Sequence, residues 1–426
     1  MEDVVGQLRA VTFQTGAFLV AWSWVLVYYA ISHAAVGESP LQDQIGFGGQ
    51  GQPQNLLVLA LEYVIVCGAT AALLERMRAN GSSEALAAAV AFFPSPVFSG
   101  KLLQFLGQFS SDGLQLGLMN VAATAVVAAA VHAAPRSGQY KSIGDVLRST
   151  VGFGLGVAWN SLVSRAEPGQ GRLIARSIYL GVVVLLAARL AAPPARFDSL
   201  RSRIAALLSF AMRVVCAFAL VDWLQGPHST LGFHSTAAVR PTPLYEAASL
   251  VGLVLLAAQM SVLLAEADLD GAQADAKAKA VKTGFAGWLL RILVLVPCVW
   301  CCCPWIPLLW LLSGGSEGVT TRWTSLAADV CSLAASVVGT GLITTAIDTA
   351  AAKLRICDAE ACDVVPFLAL EVAASAVFTA ALVAFLGWVN EAKPRADASN
   401  DAGDGSGGYV LLAPTEPMFV QGTYVA

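Results

Sequence analysis

Charge is scarce in this chain. Asp, Glu, Lys and Arg make up 13% of its 426 residues, about half the share found in an ordinary soluble domain. The few charges nearly cancel, to a formal net charge of -4, and no basic tract offers a phosphate backbone a partner. Nucleic acid is therefore not an expected partner. Histidine is scarcer still, with four in the chain, too few for a histidine-built di-iron centre. No Gly-x-Ser-x-Gly elbow, Walker loop or paired-aspartate protease motif occurs. An enzyme is thus the weaker class, and neither a cofactor nor a metal is expected. Cysteine is present but does not form a secreted disulfide framework, because most of the nine lie within apolar stretches. Cys298, Cys301, Cys302 and Cys303 crowd one such stretch, and Cys357 and Cys362 flank an acidic loop. Thiols placed this way behave chiefly as small hydrophobes. His228 and His234 share a loop, a weak ligand set.

What fills the chain instead is apolar surface, with 57% hydrophobic residues and a mean hydropathy of +0.67. Runs of about 20 mostly uncharged residues follow one another nearly end to end, each long enough to cross a bilayer core of about 30 Å. Spans are expected at roughly 10–35, 55–75, 84–109, 114–134, 142–164, 173–195, 203–224, 243–265, 285–313, 325–352 and 364–390. The expected fold is an all-α, polytopic membrane helix bundle of about 11 transmembrane spans, within a range of about 10–12. Residues 1–390 form a single multi-span domain, and 391–426 a flexible acidic, Gly-rich tail. The opening Met1-Glu2-Asp3-Val4-Val5 lacks a signal peptide's cationic flank, so the first span is expected to remain as an anchor.

Basic residues set an orientation. The loop from Glu38 to Gln54 has no Lys or Arg, whereas Arg76 and Arg78 follow the second span. Arg136 and Lys141, then Arg196, Arg201 and Arg203, then Lys277, Lys279 and Lys282, fall in later even-numbered loops. By the positive-inside rule these loops face the cytosol. Arg165, Arg172 and Arg176 run against the pattern. An odd span count then puts the N-terminus in the cytosol and the C-terminus on the opposite side.

An ionisable group inside a span costs about 2.5–3.5 kcal/mol on insertion scales and marks a candidate for function. Glu62, Lys101, Arg213, Arg291 and Glu371 are such groups, with Asp348 nearer a membrane face. From helical rise, Glu62 and Arg213 sit at about 19 and 15 Å above the inner boundary, and Glu371 and Arg291 both at about 10 Å. Two carboxylate–arginine pairs are therefore expected, Glu62 with Arg213 and Glu371 with Arg291. They serve either as a proton relay or as static interhelical ties. In the third span Pro94 and Pro96 precede Lys101. Two prolines remove two helix donors, so this helix is expected to break, packed as a kink or opened onto a solute site.

Glycines mark two further spans: Gly152, Gly154 and Gly156 in the fifth, Gly339 and Gly341 in the tenth. Gly152 and Gly156 share one helical face, which suits close packing. The string Thr150-Val151-Gly152-Phe153-Gly154 resembles the selectivity-filter string of potassium channels. That resemblance covers five residues, with no Asp or Asn after Gly154, and implies a carbonyl-lined cation path. A second echo joins distant spans. Leu59-Ala60-Leu61-Glu62 precedes Thr70-Ala71-Ala72-Leu73, and Leu368-Ala369-Leu370-Glu371 precedes Thr379-Ala380-Ala381-Leu382 at the same spacing.

Many spans, buried charge and a broken helix lead to an expected small-solute or ion transporter, with proton coupling through Glu62 and Glu371. The rivals are a membrane scaffold or complex subunit and, more weakly, a potassium-like channel. Expected partners are membrane lipid, a small solute or ion, and a protein meeting the C-terminal tail.

Overall fold

A computed structural model describes residues 2–35, 56–80, 84–107, 113–134, 141–163, 173–190, 200–225, 244, 246–258, 260–261, 317–356 and 363–391. The described residues are helical almost throughout and contain no strand. The helices are α1 (Glu2–Ala35), α2 (Leu56–Ala79), α3 (Glu84–Phe92), α4 (Pro94–Gly107), α5 (Gly113–Ala133) and α6 (Lys141–Val163). They continue with α7 (Leu173–Leu190), α8 (Leu200–Gln225), α9 (Glu246–Ala258), α10 (Glu317–Lys353) and α11 (Val364–Glu391). Six stretches are long and apolar enough to cross a membrane: Leu8–Ile31, Leu86–Leu103, Gly113–Ala133, Leu207–Leu224, Leu326–Lys353 and Val364–Phe385. The described residues form an all-helical bundle, that of an integral membrane protein. The expected ninth span, 285–313, lies outside the described residues.

Helix α6 is the axis of the bundle. From Thr150 to Ala158 every residue is buried, although this segment is rich in glycine. The glycines explain the burial. A Cβ on Gly152 would come 2.5 Å from Phe210 Cδ1, and one on Gly156 would enter the side chain of Val214, both on α8. On the opposite side a Cβ on Gly154 would enter the Phe98 ring of α4. Removing the β-carbons lets α4 and α8 close on α6 from two directions. The helix is unbroken, so its carbonyls accept from their own ladder. The Thr150–Gly154 string is therefore a packing seam, and the filter expectation is corrected: a filter needs those carbonyls turned toward an ion. Gly339 plays the same part on α10, where Leu19 of α1 occupies the space. Gly341 is buried on α10.

Helices α5 and α11 lie at the periphery. Only 28% of the Gly113–Ala133 span and 17% of Val364–Phe385 are buried, against 72% of Leu326–Lys353. Val126, Val365 and Val377 stand out from the bundle, as side chains facing lipid would.

The order of contacts fixes relative directions. Phe18 packs on Phe92, and Tyr29 further along α1 meets Val97, so α1 and the α3–α4 pair run the same way. Glu62 and Tyr63 meet Lys101 and Phe98 in reverse order, which makes α2 antiparallel to them. Helix α10 ends in a Schellman turn: Arg355 takes φ 56°, and the Ile356 and Arg355 amides donate to the Ala351 and Ala352 carbonyls. Asp363 N–H then donates to Ile356 O, closing an α10–α11 hairpin. Gly16 meets Leu382, while Trp24, further along α1, reaches back to Thr379. Helices α1 and α11 are therefore antiparallel, and the Glu2 and Glu391 ends lie toward one side. The C-terminal residues 392–426 lie outside the described residues.

Candidate functional site

The third span is interrupted at one residue. Helix α3 ends at Phe92, Phe93 forms a turn, and α4 begins at Pro94. Proline suits a first helical position, where its missing N–H would have no partner. The interruption is shallow, because Phe93 N–H still donates to Ala89 O at 3.2 Å. Its chemical consequence comes from the covalent structure. An α-helical carbonyl accepts from the amide four residues on, and those amides for Val90 and Phe92 belong to Pro94 and Pro96, which carry no hydrogen. Two carbonyls therefore have no ladder donor, and the buried Ser95 hydroxyl beside them has no hydrogen-bond partner.

Three helices meet next to this break. Tyr28 of α1 packs its ring edge-on against Phe93 at 6.0 Å and donates its hydroxyl proton to Glu62 Oε1 of α2. Lys101, about two turns past the break on α4, sets Nζ 3.0 Å from Glu62 Oε2 and 6.0 Å from the Tyr28 ring centre. Both oxygens of Glu62 thus have partners. The Lys101 side chain is 8% exposed and that of Glu62 30%, so the carboxylate is the open side of the cluster. Tyr29 sends its hydroxyl toward Pro96 O and Val97 O, at 3.4 and 3.5 Å. That approach requires Gly100, since any Cβ there would overlap the tyrosine hydroxyl.

Arg213 of α8 is not at this cluster. It donates to Asp329 Oδ2 of α10, and Asp329 is buried. The expected Glu62–Arg213 pair is therefore replaced by two separate pairs, Glu62–Lys101 and Arg213–Asp329. Matching depth is necessary for contact, but which helices are neighbours decides it. Arg291 lies outside the described residues, as do His228, His234, the cysteines from 298 to 303, Cys357 and Cys362. Glu371 is 1% exposed, and its Oε2 has no hydrogen-bond partner among the described residues. Asp348, across the hairpin, lies near enough for its charge to act on Glu371.

Two site residues escaped the sequence. Asp329 is an ionisable group within the expected tenth span, and the same insertion cost that marked Glu62 marks it too. Tyr28 gave no such signal, because a tyrosine in an apolar run reads as packing until a carboxylate is found beside it. No protein-family model, curated protein or solved structure matches the chain.

Proposed function

We propose that this protein passes a small polar solute or ion across a membrane, and that the α3–α4 break is where the solute binds. One observation carries the reading: the Glu62–Lys101–Tyr28 cluster joins three helices, about two turns from an interrupted helix whose Val90 and Phe92 carbonyls lack their usual ladder donors. Interrupted helices with polar groups at membrane depth are how many transporters build substrate sites. Glu62 is the group that exchanges partners, being the more open side of its pair. The bundle has an even number of spans, about ten or twelve, with Glu2, Asn80 and Glu391 on the cytosolic side. Reporter tags inserted at Asn80 and directly after Glu391 then report the same compartment.

The test is flux in proteoliposomes over a panel of ions and small polar solutes, for the wild type and Glu62→Gln. A transported solute whose flux falls at least tenfold in Glu62→Gln, with the protein still folded, supports the site. A second reading, a non-transporting membrane scaffold, draws on the closure of Glu62 and Arg213 in pairs within the bundle. Flux equal to that of empty vesicles across the panel selects it.

A further inference from the structure

Helix α11 carries a second buried polar site that the reading above does not use. Hydroxyls on these helices habitually donate one turn back: Ser99, Thr124, Thr150, Ser261 and Thr379 each bond the carbonyl four residues earlier. Ser375 does not. Its Oγ is fully buried and has no hydrogen-bond partner among the described residues. Glu371 lies one turn before it on the same face, equally buried, with Oε2 also unbonded. The two oxygens do not bond each other, although a turn apart. The site thus holds two hard oxygen donors, a buried carboxyl group and a hydroxyl that can turn its lone pairs inward.

We propose that Glu371 and Ser375 bind a monovalent cation of sodium size. A buried carboxylate is stable at membrane depth only when its charge is offset, and one buried carboxylate calls for one positive charge. Calcium-sized hard cations take oxygen ligands at about 2.3–2.6 Å, and two oxygens sharing such an ion both direct lone pairs at it and need not hydrogen-bond each other. A proton on Glu371 would instead form an O–H donor and draw the Ser375 oxygen into hydrogen-bond contact. Soft metals are disfavoured by the all-oxygen donor set. The site stands on its own residues and does not require that the protein move a solute.

The experiment is thermal unfolding of the full-length protein in detergent, with sodium chloride replacing choline chloride at constant ionic strength. A ligand that binds the native state raises Tm with the logarithm of its concentration. The expected result is such a rise with sodium, a weaker one with potassium, and its loss in Glu371→Gln. Ser375→Ala, which removes one oxygen and no charge, is expected to shift the half-maximal sodium concentration upward about tenfold. If Glu371→Gln fails to fold, Ser375→Ala carries the test. An identical sodium response in the wild type and all folded variants overturns the site, as does a Tm that follows pH or calcium and ignores sodium. Because Tm is read without flux, an inactive but sodium-stabilised protein would sink the transport reading and leave this site standing.

Discussion

Glu62 and Glu371 end the same four-residue string, Leu-Ala-Leu-Glu, and each is followed at equal spacing by Thr-Ala-Ala-Leu. Their surroundings are opposite. Glu62 is part-exposed and has both oxygens engaged, by Tyr28 and Lys101 from two different helices. Glu371 is almost wholly buried and leaves one oxygen unbonded among the described residues. The less buried carboxylate has the better partners. A carboxylate at membrane depth is neutralised either by the bundle or by something the bundle takes up. Among the described residues, the α1–α2–α4 junction supplies partners for its carboxylate and the α10–α11 hairpin does not.

The sharpest way to break the comparison is to remove the partner at the satisfied site. Lys101→Met leaves the Glu62 charge uncompensated and should cost about 3 kcal/mol, at the lower end for a broken buried pair because Glu62 is partly open. Thermal unfolding in detergent reads it, and Glu62→Gln added to Lys101→Met should recover most of the loss. Simple additivity of the two substitutions would mean that they are not coupled. Next in size is Tyr28→Phe, which deletes a hydrogen bond to a charged acceptor and should cost about 1.5–3 kcal/mol. The same change combined with Glu62→Gln should cost less, since the acceptor is then neutral. Trp24→Phe, which removes the 3.0 Å bond to Thr379, should cost about 0.5–1.5 kcal/mol, as for a neutral pair. It provides the scale for an ordinary α1–α11 contact beside the charged ones. The smallest effect is expected at the unsatisfied site. In choline medium Glu371→Gln should leave Tm unchanged or slightly raised, because it removes a buried charge with no bonded partner. A loss as large as that of Lys101→Met would show that Glu371 is tied after all, and would erase the difference between the two carboxylates.

Helix α6 shows how far a local string can mislead. Thr-Val-Gly-Phe-Gly has the letters of an ion filter, but a filter is a backbone conformation. Here the same glycines let Phe98 and Phe210 press against an unbroken helix. The four-residue spacing of Gly152 and Gly156 was legible as a packing face. That the face meets Phe210 and Val214 of α8, with Gly154 turned to α4, was not.

The sequence by itself determined the solvent and the element type. Apolar runs of membrane-crossing length leave the backbone no hydrogen-bond partners but its own, and that forces helices. It also marked the costly positions, because insertion energy depends on residue type and depth: Glu62, Lys101, Arg213 and Glu371 all stand out without coordinates. The interruption at Pro94 was legible for the same reason, since a missing N–H is a covalent fact. Pairing was decided only in the tertiary structure. Lys101 took the place expected for Arg213, Asp329 took Arg213, and Tyr28 entered the cluster unannounced. Which charge meets which depends on which helices are neighbours and which way they run. Side-chain packing among similar apolar helices settles that, and the residues along any one helix do not encode it.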